Sequence, residues 1–287
     1  MLGATVLVRL AFWKMHGLGN DYVVIDNRDR RVEERSLGDL ARVLCKRRFS
    51  VGADGVLLLY ESSVADVKMR IFNSDGTEAE MCGNGIRCLA KYCYENSVIE
   101  KEEMTVETLA GVKNLHLTVM NGKVRSVRVD MGRPIFERES IPMLGEGVCI
   151  DEELDVDGET YKVTCLSVGN PHCVVFVEDT ESFPVRTVGP RIERHKLFPN
   201  RVNVEFVEVL SRDYLKVRVW ERGVGETLAC GTGACAAVAA GVVLGMVDRK
   251  CTVHLLGGDL QFEYGETMLM TGPAEKAYEG FIDLEYT

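Results

Sequence analysis

Hydrophobic and polar residues alternate in several stretches of this chain, and in other stretches the apolar residues recur at helical spacing. Met69 and Ile71 alternate with basic residues, as do Val217 and Val219, and this pattern is typical of half-buried β-strands. A polar loop containing glycine follows each stretch. After the first loop, apolar residues within 86–93 fall at i, i+3, i+4 and i+7, which predicts a helix with one buried face.

The second loop is followed by the sequence ACAAVAAGVVLG, residues 234–245, which predicts a helix buried on every side. Alternating runs at 115–131 and 252–264 predict further strands, and Asn121-Gly122 predicts a two-residue hairpin turn within the first of them. Strands therefore dominate. The pattern favours a mostly antiparallel, curved sheet wrapped around a central helix.

The two chain ends are also interpreted as strands. The apolar N-terminal segment, residues 1–13, is interrupted by Arg9 and has no basic segment before it, so we do not expect a signal peptide or a membrane anchor. The final AYEGFIDLEY, residues 277–286, is expected to return to the first domain as a strand.

An internal repeat organises the chain. KMRIFNSDGTEAEMCGNG, residues 68–85, aligns without a gap on KVRVWERGVGETLACGTG, residues 216–233. Upstream, 17–25 and 167–177 share a Gly-Asn pair followed by an apolar run at nearly the same offset. Chance similarity of two strand–turn–helix units is the alternative, but the near-constant offset favours a duplicated domain. The identical pairs in the gap-free part are Lys68/Lys216, Arg70/Arg218, Glu78/Glu226, Cys82/Cys230, Gly83/Gly231 and Gly85/Gly233.

The repeat predicts an α/β protein of the α+β type with two pseudosymmetric domains. A length of 287 residues suits two domains of ordinary size. We expect residues 1–125, completed by 274–287, to form the N-terminal repeat, and residues 126–273 to form the C-terminal repeat.

Composition narrows the classes of partner. The formal net charge is −10 and no Lys/Arg-rich block is present, which argues against a nucleic acid or an anionic membrane as partner. A small molecule is the expected partner. No stretch approaches the ~20 apolar residues of a membrane-spanning helix, so we expect a cytoplasmic protein.

Two of the ten cysteines stand out by their position. Ten in 287 residues are too few for a disulfide scaffold, and their spacing does not favour zinc, so we expect no metal. Cys82 and Cys230 each precede a Gly-x-Gly at the start of a predicted helix. The positive end of a helix favours a thiolate, and its backbone N–H groups bind carboxylates. Both chemistries are therefore expected at one location.

A duplicated cysteine suits a reaction that inverts a stereocentre. If an approximate twofold axis relates the repeats, equivalent helix ends face each other across an interdomain cleft. A thiolate on one side can remove a proton from a carbon, and a thiol on the other side can deliver one to the opposite face. No signature of a pyridoxal-binding lysine is apparent, so hydrogen-bond donors must stabilise the developing carboxylate charge. The pattern predicts a cofactor-independent racemase or epimerase.

Seven ordered motifs across residues 12–285 resemble the diaminopimelate epimerase family. They are KMHGLGNDYVVID, VGADG, FNSDGTEAEMCGNGIRC, VGNPHCVVFV, RVNVEFV, VWERGVGETLACGTGAC and GPAEKAYEGFI. The resemblance implies an isomerase that interconverts LL- and meso-2,6-diaminopimelate on the route to lysine and peptidoglycan precursors, with no cofactor. It also implies a site between two α/β domains.

The resemblance also assigns roles to individual residues. Cys82 and Cys230 match the two catalytic bases, and His172 and Glu221 match residues that flank and tune them. Tyr278 matches a position at a homodimer interface. The implied substrate-binding residues are Asn20, Asn73, Gly83, Asn84, Asn170, Asn203, Glu221, Arg222, Gly231 and Thr232.

Two departures and two alternatives remain open at this point. Gly55 stands where many members have a glutamine near the substrate, and residues 1–11 precede the usual start. The first alternative is a two-cysteine racemase of the proline or hydroxyproline type. The second is a redox or regulatory binding protein in which Cys82 and Cys230 form a switchable disulfide without turnover.

Overall fold

The computed structural model describes the backbone of residues 6–286 and the side chains of residues 8–283. It divides into two compact units, and the chain enters the second at residue 129 and returns to the first at residue 273. Residues 1–5 of the expected N-terminal strand lie outside the described part. The rest of that segment belongs to the first strand, Val6–Gly17.

The first unit is a mostly antiparallel sheet with two α-helices. A short 3-10 helix, Glu34–Ser36, precedes the first of them. The elements of the first unit are β1 (Val6–Gly17), β2 (Asn20–Asp26), α1 (Leu37–Leu44), β3 (Gly55–Tyr60), β4 (Val67–Asn73), β5 (Glu78–Ala79), α2 (Gly83–Glu95), β6 (Glu103–Thr108), β7 (Gly111–Met120), β8 (Lys123–Asp130) and β18 (Glu275–Tyr286). The last two residues of β8 already belong to the second unit.

After one additional strand, the second unit repeats the succession of elements from β1 to β8. A 3-10 helix, Arg138–Ser140, precedes its first strand. Its elements are β9 (Cys149–Val156), β10 (Glu159–Ser167), β11 (Pro171–Phe176), α3 (Val185–Glu193), β12 (Asn203–Ser211), β13 (Tyr214–Glu221), β14 (Gly225–Thr227), α4 (Gly231–Val243), β15 (Lys250–Leu255), β16 (Gly258–Tyr264) and β17 (Met268–Gly272).

Strand pairing repeats between the units. β1 pairs antiparallel with β2, β2 runs parallel to β3, and β3 pairs antiparallel with β4. In the second unit β10, β11, β12 and β13 repeat this succession. Each parallel step is bridged by a helix, α1 or α3, because parallel neighbours need a crossover connection. The predicted α+β class, with strands in excess and a helix embedded in each sheet, is confirmed.

The embedded helices, α2 and α4, differ in how their sequences meet the core. Apolar residues of α2 such as Ile86, Leu89 and Cys93 are fully buried at the predicted helical spacing. In α4 the small residues from Ala234 to Ala240 are all buried, as the all-apolar sequence predicts. Of the helices between residues 6 and 286, none has the length and apolar character to cross a membrane.

Local turn chemistry accounts for the register of the predicted hairpin. Asn121 and Gly122 both have positive φ, 52° and 71°, which is the geometry of a type I′ turn between β7 and β8. The C-terminal segment pairs antiparallel with β1, with Tyr278 opposite Lys14, so the expected returning strand is also present. Helices α1 and α3 were not anticipated from the sequence pattern. They are short, and α3 contains Pro190.

Candidate active site

Cys82 is the N-cap residue of α2. Its backbone is extended (φ −142°, ψ 123°), and its sulfur accepts a hydrogen bond from the Gly85 amide at 3.5 Å. A side-chain acceptor at this position satisfies one of the amides that a helix leaves without an intrahelical partner. The thiol is half-buried. Cys82 therefore lies at a helix N-terminus in the first unit, as predicted.

Tyr22 and Asn20 of β2 lie beside the Cys82 sulfur, in a hydrogen-bond network that also includes Asn84 of α2 and Asp54. The Tyr22 hydroxyl lies 2.9 Å from Cys82 Sγ and 2.7 Å from Asn20 Oδ1. Asn84 Nδ2 donates to the same Asn20 oxygen at 3.3 Å. Asn20 Nδ2 donates to Asp54 Oδ2 at 2.9 Å. These contacts fix the Asn20 amide with its oxygen directed toward the thiol.

Arg87 orients the residues that follow Cys82. It is fully buried, and its guanidinium donates to Gly83 O at 2.9 Å and to Asn84 Oδ1 at 2.8 Å. A third hydrogen bond goes to Pro273 O at 3.0 Å. Gly17 makes room for this group, since a Cβ there would lie 2.8 Å from Arg87 Nη2. Sequence reasoning missed Arg87, although a charged residue within the apolar stretch after Gly-Asn-Gly was a visible signal.

The position of Gly55 explains the missing glutamine. A Cβ at Gly55 would lie 2.8 Å from the Phe72 carbonyl oxygen and 3.2 Å from Tyr22 Cε1. Real Cβ atoms do not approach backbone oxygens that closely, so this backbone and the Tyr22 ring together exclude a side chain here. Asn73, directly opposite Gly55 across β3 and β4, is exposed and donates to Thr77 Oγ1 at 3.0 Å.

Cys230 repeats the geometry of Cys82 in the second unit. It is the N-cap of α4, and its sulfur accepts from the Gly233 amide at 3.3 Å and lies 3.4 Å from Thr232 Oγ1. Burial, and then the carboxylates of Glu221 and Glu205, raise the pKa of Cys230 well above its usual value. The Gly233 amide at the helix end lowers this pKa, but by less than desolvation and the two carboxylates raise it.

His172 and Glu205 form a fully buried pair behind α4. His172 Nδ1 lies 2.7 Å from Glu205 Oε1, and His172 Nε2 lies 2.9 Å from Asn170 Oδ1. The second Glu205 oxygen has no hydrogen-bond partner among the described residues. A Cβ at Gly233 would lie 2.7 Å from Glu205 Oε1 and 3.3 Å from Cys230 Sγ, so this glycine lets the carboxylate approach the helix N-terminus. Sequence reasoning did not single out Glu205.

Asn203 positions the loop after β13. Its Nδ2 donates to Pro171 O at 2.9 Å, and its Oδ1 accepts from the Arg222 amide at 2.8 Å. Glu193 holds the same loop, because its carboxylate accepts from Gly223 N at 3.0 Å and from Trp220 Nε1 at 2.8 Å. Both ends of the Asn203 amide are thus engaged within the protein.

The two charged residues of the WERG motif lie at the end of β13 and the start of this loop. Arg222 is exposed, and its Nη1 donates to Asn200 O at 3.2 Å. Glu221 is partly buried and accepts from Thr227 Oγ1 at 2.5 Å. No group of three or more His, Cys, Asp or Glu side chains between residues 8 and 283 is arranged to hold a metal ion.

The predicted site residues therefore form two clusters, one in each unit. The first contains Asn20, Cys82, Gly83 and Asn84, with Asn73 on the neighbouring hairpin. The second contains Cys230, Gly231 and Thr232 at the start of α4, with Asn170 beside His172 on the adjoining strand and Asn203, Glu221 and Arg222 around the loop. Tyr278 belongs to neither cluster; it lies on β18, 46% exposed.

Comparisons with known proteins identify the family of this chain. A family model for diaminopimelate epimerase matches residues 12–137 and 164–277. A diaminopimelate epimerase of Moorella thermoacetica is 55% identical over 278 residues, which cover 96% of this chain and 99% of that protein.

Solved structures with lower sequence identity share the fold. A phenazine biosynthesis protein of the PhzF family from Bacillus anthracis matches with a TM-score of 0.71 and 19% identity, over 96% of this chain and 99% of the other. A hydroxyproline epimerase from Agrobacterium vitis matches with a TM-score of 0.71 and 15% identity, over 96% of this chain and 93% of the other. At these identities the likeness concerns the fold alone. The family match and the 55% identity decide membership: the chain belongs to the diaminopimelate epimerase family.

Proposed function

We propose that this chain interconverts LL- and meso-2,6-diaminopimelate, with Cys82 and Cys230 as its two acid/base groups and without a cofactor. The observation that carries the proposal is the repeated N-cap cysteine, each sulfur accepting from the amide three residues on. The identity to relatives named diaminopimelate epimerase supports the substrate.

The reaction exchanges one proton at a carbon. A thiolate takes the α-proton and becomes a thiol, while the other cysteine, initially a thiol, gives its proton to the opposite face and becomes a thiolate. The electron pair of the broken C–H bond resides on the α-carbon and its carboxylate until the second proton arrives. At the end the two cysteines have exchanged protonation states. Each cysteine is therefore the base in one direction of the reaction and the acid in the other.

Donors at the helix N-termini stabilise the charge on the α-carboxylate. Gly83 and Asn84 begin α2, and Gly231 and Thr232 begin α4. The N-terminus of a helix attracts an anion through its amide hydrogens and its dipole. These donors are fixed before the reaction, so they need little reorganisation as charge develops.

The remaining charged groups suit the second end of a zwitterionic substrate. Arg222 is exposed and has a guanidinium that binds a carboxylate in a bidentate manner, while Glu221 accepts hydrogen bonds from an ammonium group. Asn73 is also exposed on its hairpin. Together these residues favour a substrate with a second amino-acid end over proline or hydroxyproline.

The buried amides and His172 support the acid/base groups. Asn20 and Asn170 each direct an oxygen toward a buried ring, Tyr22 or His172. Asn203 fixes the Arg222 backbone. We assign His172 and Glu221 to tuning of the cysteine pair, which agrees with the effect of Glu221 on the pKa of Cys230.

A homodimer in the cytoplasm completes the proposal. Tyr278 and Phe281 on β18 are exposed, as expected for residues that a second copy would cover. All ten cysteines are free thiols, which is typical of a reducing compartment.

The decisive test is an assay of the purified chain with LL-diaminopimelate, L-proline and trans-4-hydroxy-L-proline in parallel. We expect turnover of LL-diaminopimelate to the meso form without added pyridoxal phosphate or metal. Turnover of only the proline substrates would overturn the assignment of substrate. Absence of turnover with all three would overturn the enzymatic proposal.

A further inference from the structure

Tyr22 brings a phenolic hydroxyl to the Cys82 sulfur, and it is not among the site residues predicted from the sequence. The hydroxyl oxygen lies 2.9 Å from Cys82 Sγ and 2.7 Å from Asn20 Oδ1. The Tyr22 side chain is buried, at 5% exposure. A phenol has a single hydrogen to donate, so only one of these two atoms receives it at a time.

The surrounding contacts allow both arrangements. When Cys82 is a thiol, its hydrogen can be donated to the Tyr22 oxygen while the Tyr22 hydrogen is donated to Asn20 Oδ1. When Cys82 is a thiolate, rotation about the Cζ–Oη bond directs the Tyr22 hydrogen to sulfur. Asn20 Oδ1 then keeps the hydrogen bond from Asn84 Nδ2 at 3.3 Å, so no buried acceptor loses its last partner.

The duplication places Tyr22 at the position that His172 occupies in the second unit. Each residue comes two positions after the asparagine of a Gly-Asn pair, and each contacts the oxygen of that asparagine. Each also lies on the strand that runs parallel to its neighbour, β2 or β11. The matching position thus holds an imidazole in the second unit and a phenol in the first unit.

We propose that Tyr22 is a positioning residue for Cys82: its hydroxyl holds the sulfur at the α2 N-terminus and donates a hydrogen bond to the thiolate. Its contribution to turnover rests on the proposed function, whereas its hydrogen bond to the thiolate does not. The ring packs against Gly55, whose lack of a side chain leaves space for it. The placement of the Tyr22 ring therefore depends on the glycine at position 55.

Burial and the neighbouring charges keep the Tyr22 hydroxyl protonated, so it remains a hydrogen-bond donor. Burial, and then the Cys82 sulfur, raise the pKa of Tyr22 well above its usual value, and Cys88 and Asp54 act in the same direction. Arg87 is the buried cation of α2, and its hydrogen bonds go to Gly83, Asn84 and Pro273. Tyr22 is thus protonated throughout the pH range in which thiols ionise.

The test measures the reactivity of Cys82 in Tyr22→Phe, which keeps the ring and removes the hydroxyl. The full chain is treated with iodoacetamide between pH 6 and 10, and alkylation of the Cys82 peptide is followed by mass spectrometry. Loss of a hydrogen bond to the thiolate lowers the thiolate population roughly tenfold. The alkylation rate of Cys82 at pH 7 should therefore fall about tenfold. The profile should move to higher pH by about one unit, with no loss of rate at the alkaline plateau.

Tyr60→Phe is the matched control. The Tyr60 hydroxyl also has a buried partner in the first unit, Asn27 Nδ2 at 2.8 Å, but no cysteine. We expect its Cys82 profile to match that of the unmodified chain. Coincident profiles for Tyr22→Phe and the unmodified chain would overturn the proposal, as would an equal shift in Tyr60→Phe.

Turnover provides a second, separate readout. With diaminopimelate as substrate, Tyr22→Phe should lower kcat about tenfold with KM changed less than twofold, because the hydroxyl stabilises a charge and not the bound substrate. If the unmodified chain shows no epimerisation, the proposed function fails while the alkylation profiles still decide the role of Tyr22. If Tyr22→Phe does not fold, site-specific 3-fluorotyrosine at position 22 keeps the shape and strengthens the donor. The Cys82 profile should then move to lower pH, and an unmoved profile would overturn the proposal.

Discussion

His172 and Glu205 form a pair that has no counterpart among the described residues of the first unit. His172 Nδ1 lies 2.7 Å from Glu205 Oε1, and neither side chain is exposed. At the matching positions in the first unit, Tyr22 takes the place of His172 and Leu57 takes the place of Glu205. Leu57 is the side chain nearest to Gly85, the third residue of α2. The duplicated backbone therefore places a buried carboxylate near Cys230 and an apolar side chain at the matching position near Cys82.

Replacing Glu205 should make Cys230 more reactive. The Glu205 carboxylate helps to raise the pKa of Cys230, so Glu205→Gln lowers that pKa and increases the thiolate fraction at a given pH. We expect iodoacetamide to alkylate Cys230 several-fold faster at pH 8.5. We also expect a loss of about 1–3 kcal/mol in the free energy of unfolding, because a buried hydrogen bond to a charged group is weakened.

Glu193→Gln is the control for this experiment. Glu193 is a similarly buried carboxylate of the second unit, paired with Trp220 and the Gly223 amide, whereas the carboxylates that raise the pKa of Cys230 are Glu221 and Glu205. It should lower stability by a similar amount and leave the alkylation rate of Cys230 unchanged. If Glu205→Gln slows alkylation, or if both variants accelerate it equally, the electrostatic explanation is wrong.

The sequence predicted those features that depend on local chemistry. Asn121-Gly122 is a turn because both residues tolerate positive φ, and that preference is readable in isolation. The N-cap positions of Cys82 and Cys230 followed from the Gly-x-Gly that comes next and from the apolar run behind it. The internal repeat then extended one assignment to the other unit.

The features that were missed depend on contacts between distant parts of the chain. Tyr22 reads as one more apolar strand residue, and its role emerges only when Cys82, sixty positions later, is packed against it. Glu205 reads as a polar residue in an alternating strand, yet it is fully buried because His172 provides its partner. Helix α1 was overlooked because eight residues give a weak periodic signal.

The glycines three residues after the cysteines should differ in their tolerance of alanine. Gly233→Ala places a Cβ 2.7 Å from Glu205 Oε1, an atom held by His172, whereas Gly85→Ala meets only the Leu57 Cδ2 methyl at 3.0 Å. Alanine gains about 1 kcal/mol of helix propensity in both cases. We expect Gly85→Ala to be close to neutral and Gly233→Ala to lose about 1–3 kcal/mol in urea unfolding. Equal changes in the free energy of unfolding of the two variants would show that the Glu205 side chain moves aside at no energetic cost.

Stability should fall in mildly alkaline solution. Burial raises the pKa of Cys45, Cys88 and Cys93 to about 12 and that of Cys251 to about 11. Unfolded thiols ionise near pH 8.5, so the folded chain binds more protons than the unfolded chain above that pH. The stabilisation is fully present below about pH 8.5 and is lost as the pH rises toward 11–12.

The expected slope is on the order of 1 kcal/mol per pH unit for each of these thiols. Urea unfolding followed by tryptophan fluorescence at pH 7.5, 8.5 and 9.5 would measure it. If the urea concentration at the midpoint of unfolding stays constant from pH 7.5 to 9.5, the assignment of these cysteines as buried, protonated thiols is contradicted.

Tyr278 offers a test of the proposed homodimer. Its ring is 46% exposed on β18, and Phe281 on the same strand is 69% exposed. If a second copy covers this strand, light scattering should give twice the 31.9 kDa of one chain, and Tyr278→Ala should shift the population toward that single mass at micromolar concentration. Phe49→Ala, at a 79% exposed site in the same unit, should not. A single-chain mass for the unmodified protein would refute the dimer.

Removing each of the two proposed catalytic thiols separately should distinguish two bases from one. In deuterated water the unmodified chain should incorporate solvent deuterium at the α-carbon of its product. Cys82→Ala and Cys230→Ala should each lose epimerisation by roughly 10²–10⁴-fold, the contribution of a positioned acid or base. Cys93→Ala and Cys235→Ala, which remove buried thiols from the same two helices, should retain turnover.

The remaining thiol of each variant can still remove and return a proton on its own face. Cys230→Ala, which keeps Cys82, should therefore exchange the α-proton of one epimer without inverting it, and Cys82→Ala should exchange that of the other epimer. This complementary exchange follows from two bases that each address one configuration, since a single base would leave both epimers exchanging through the same residue. Exchange of the same epimer by both variants, or near-normal epimerisation by either, would show that the two cysteines are not the opposed acid and base of this reaction.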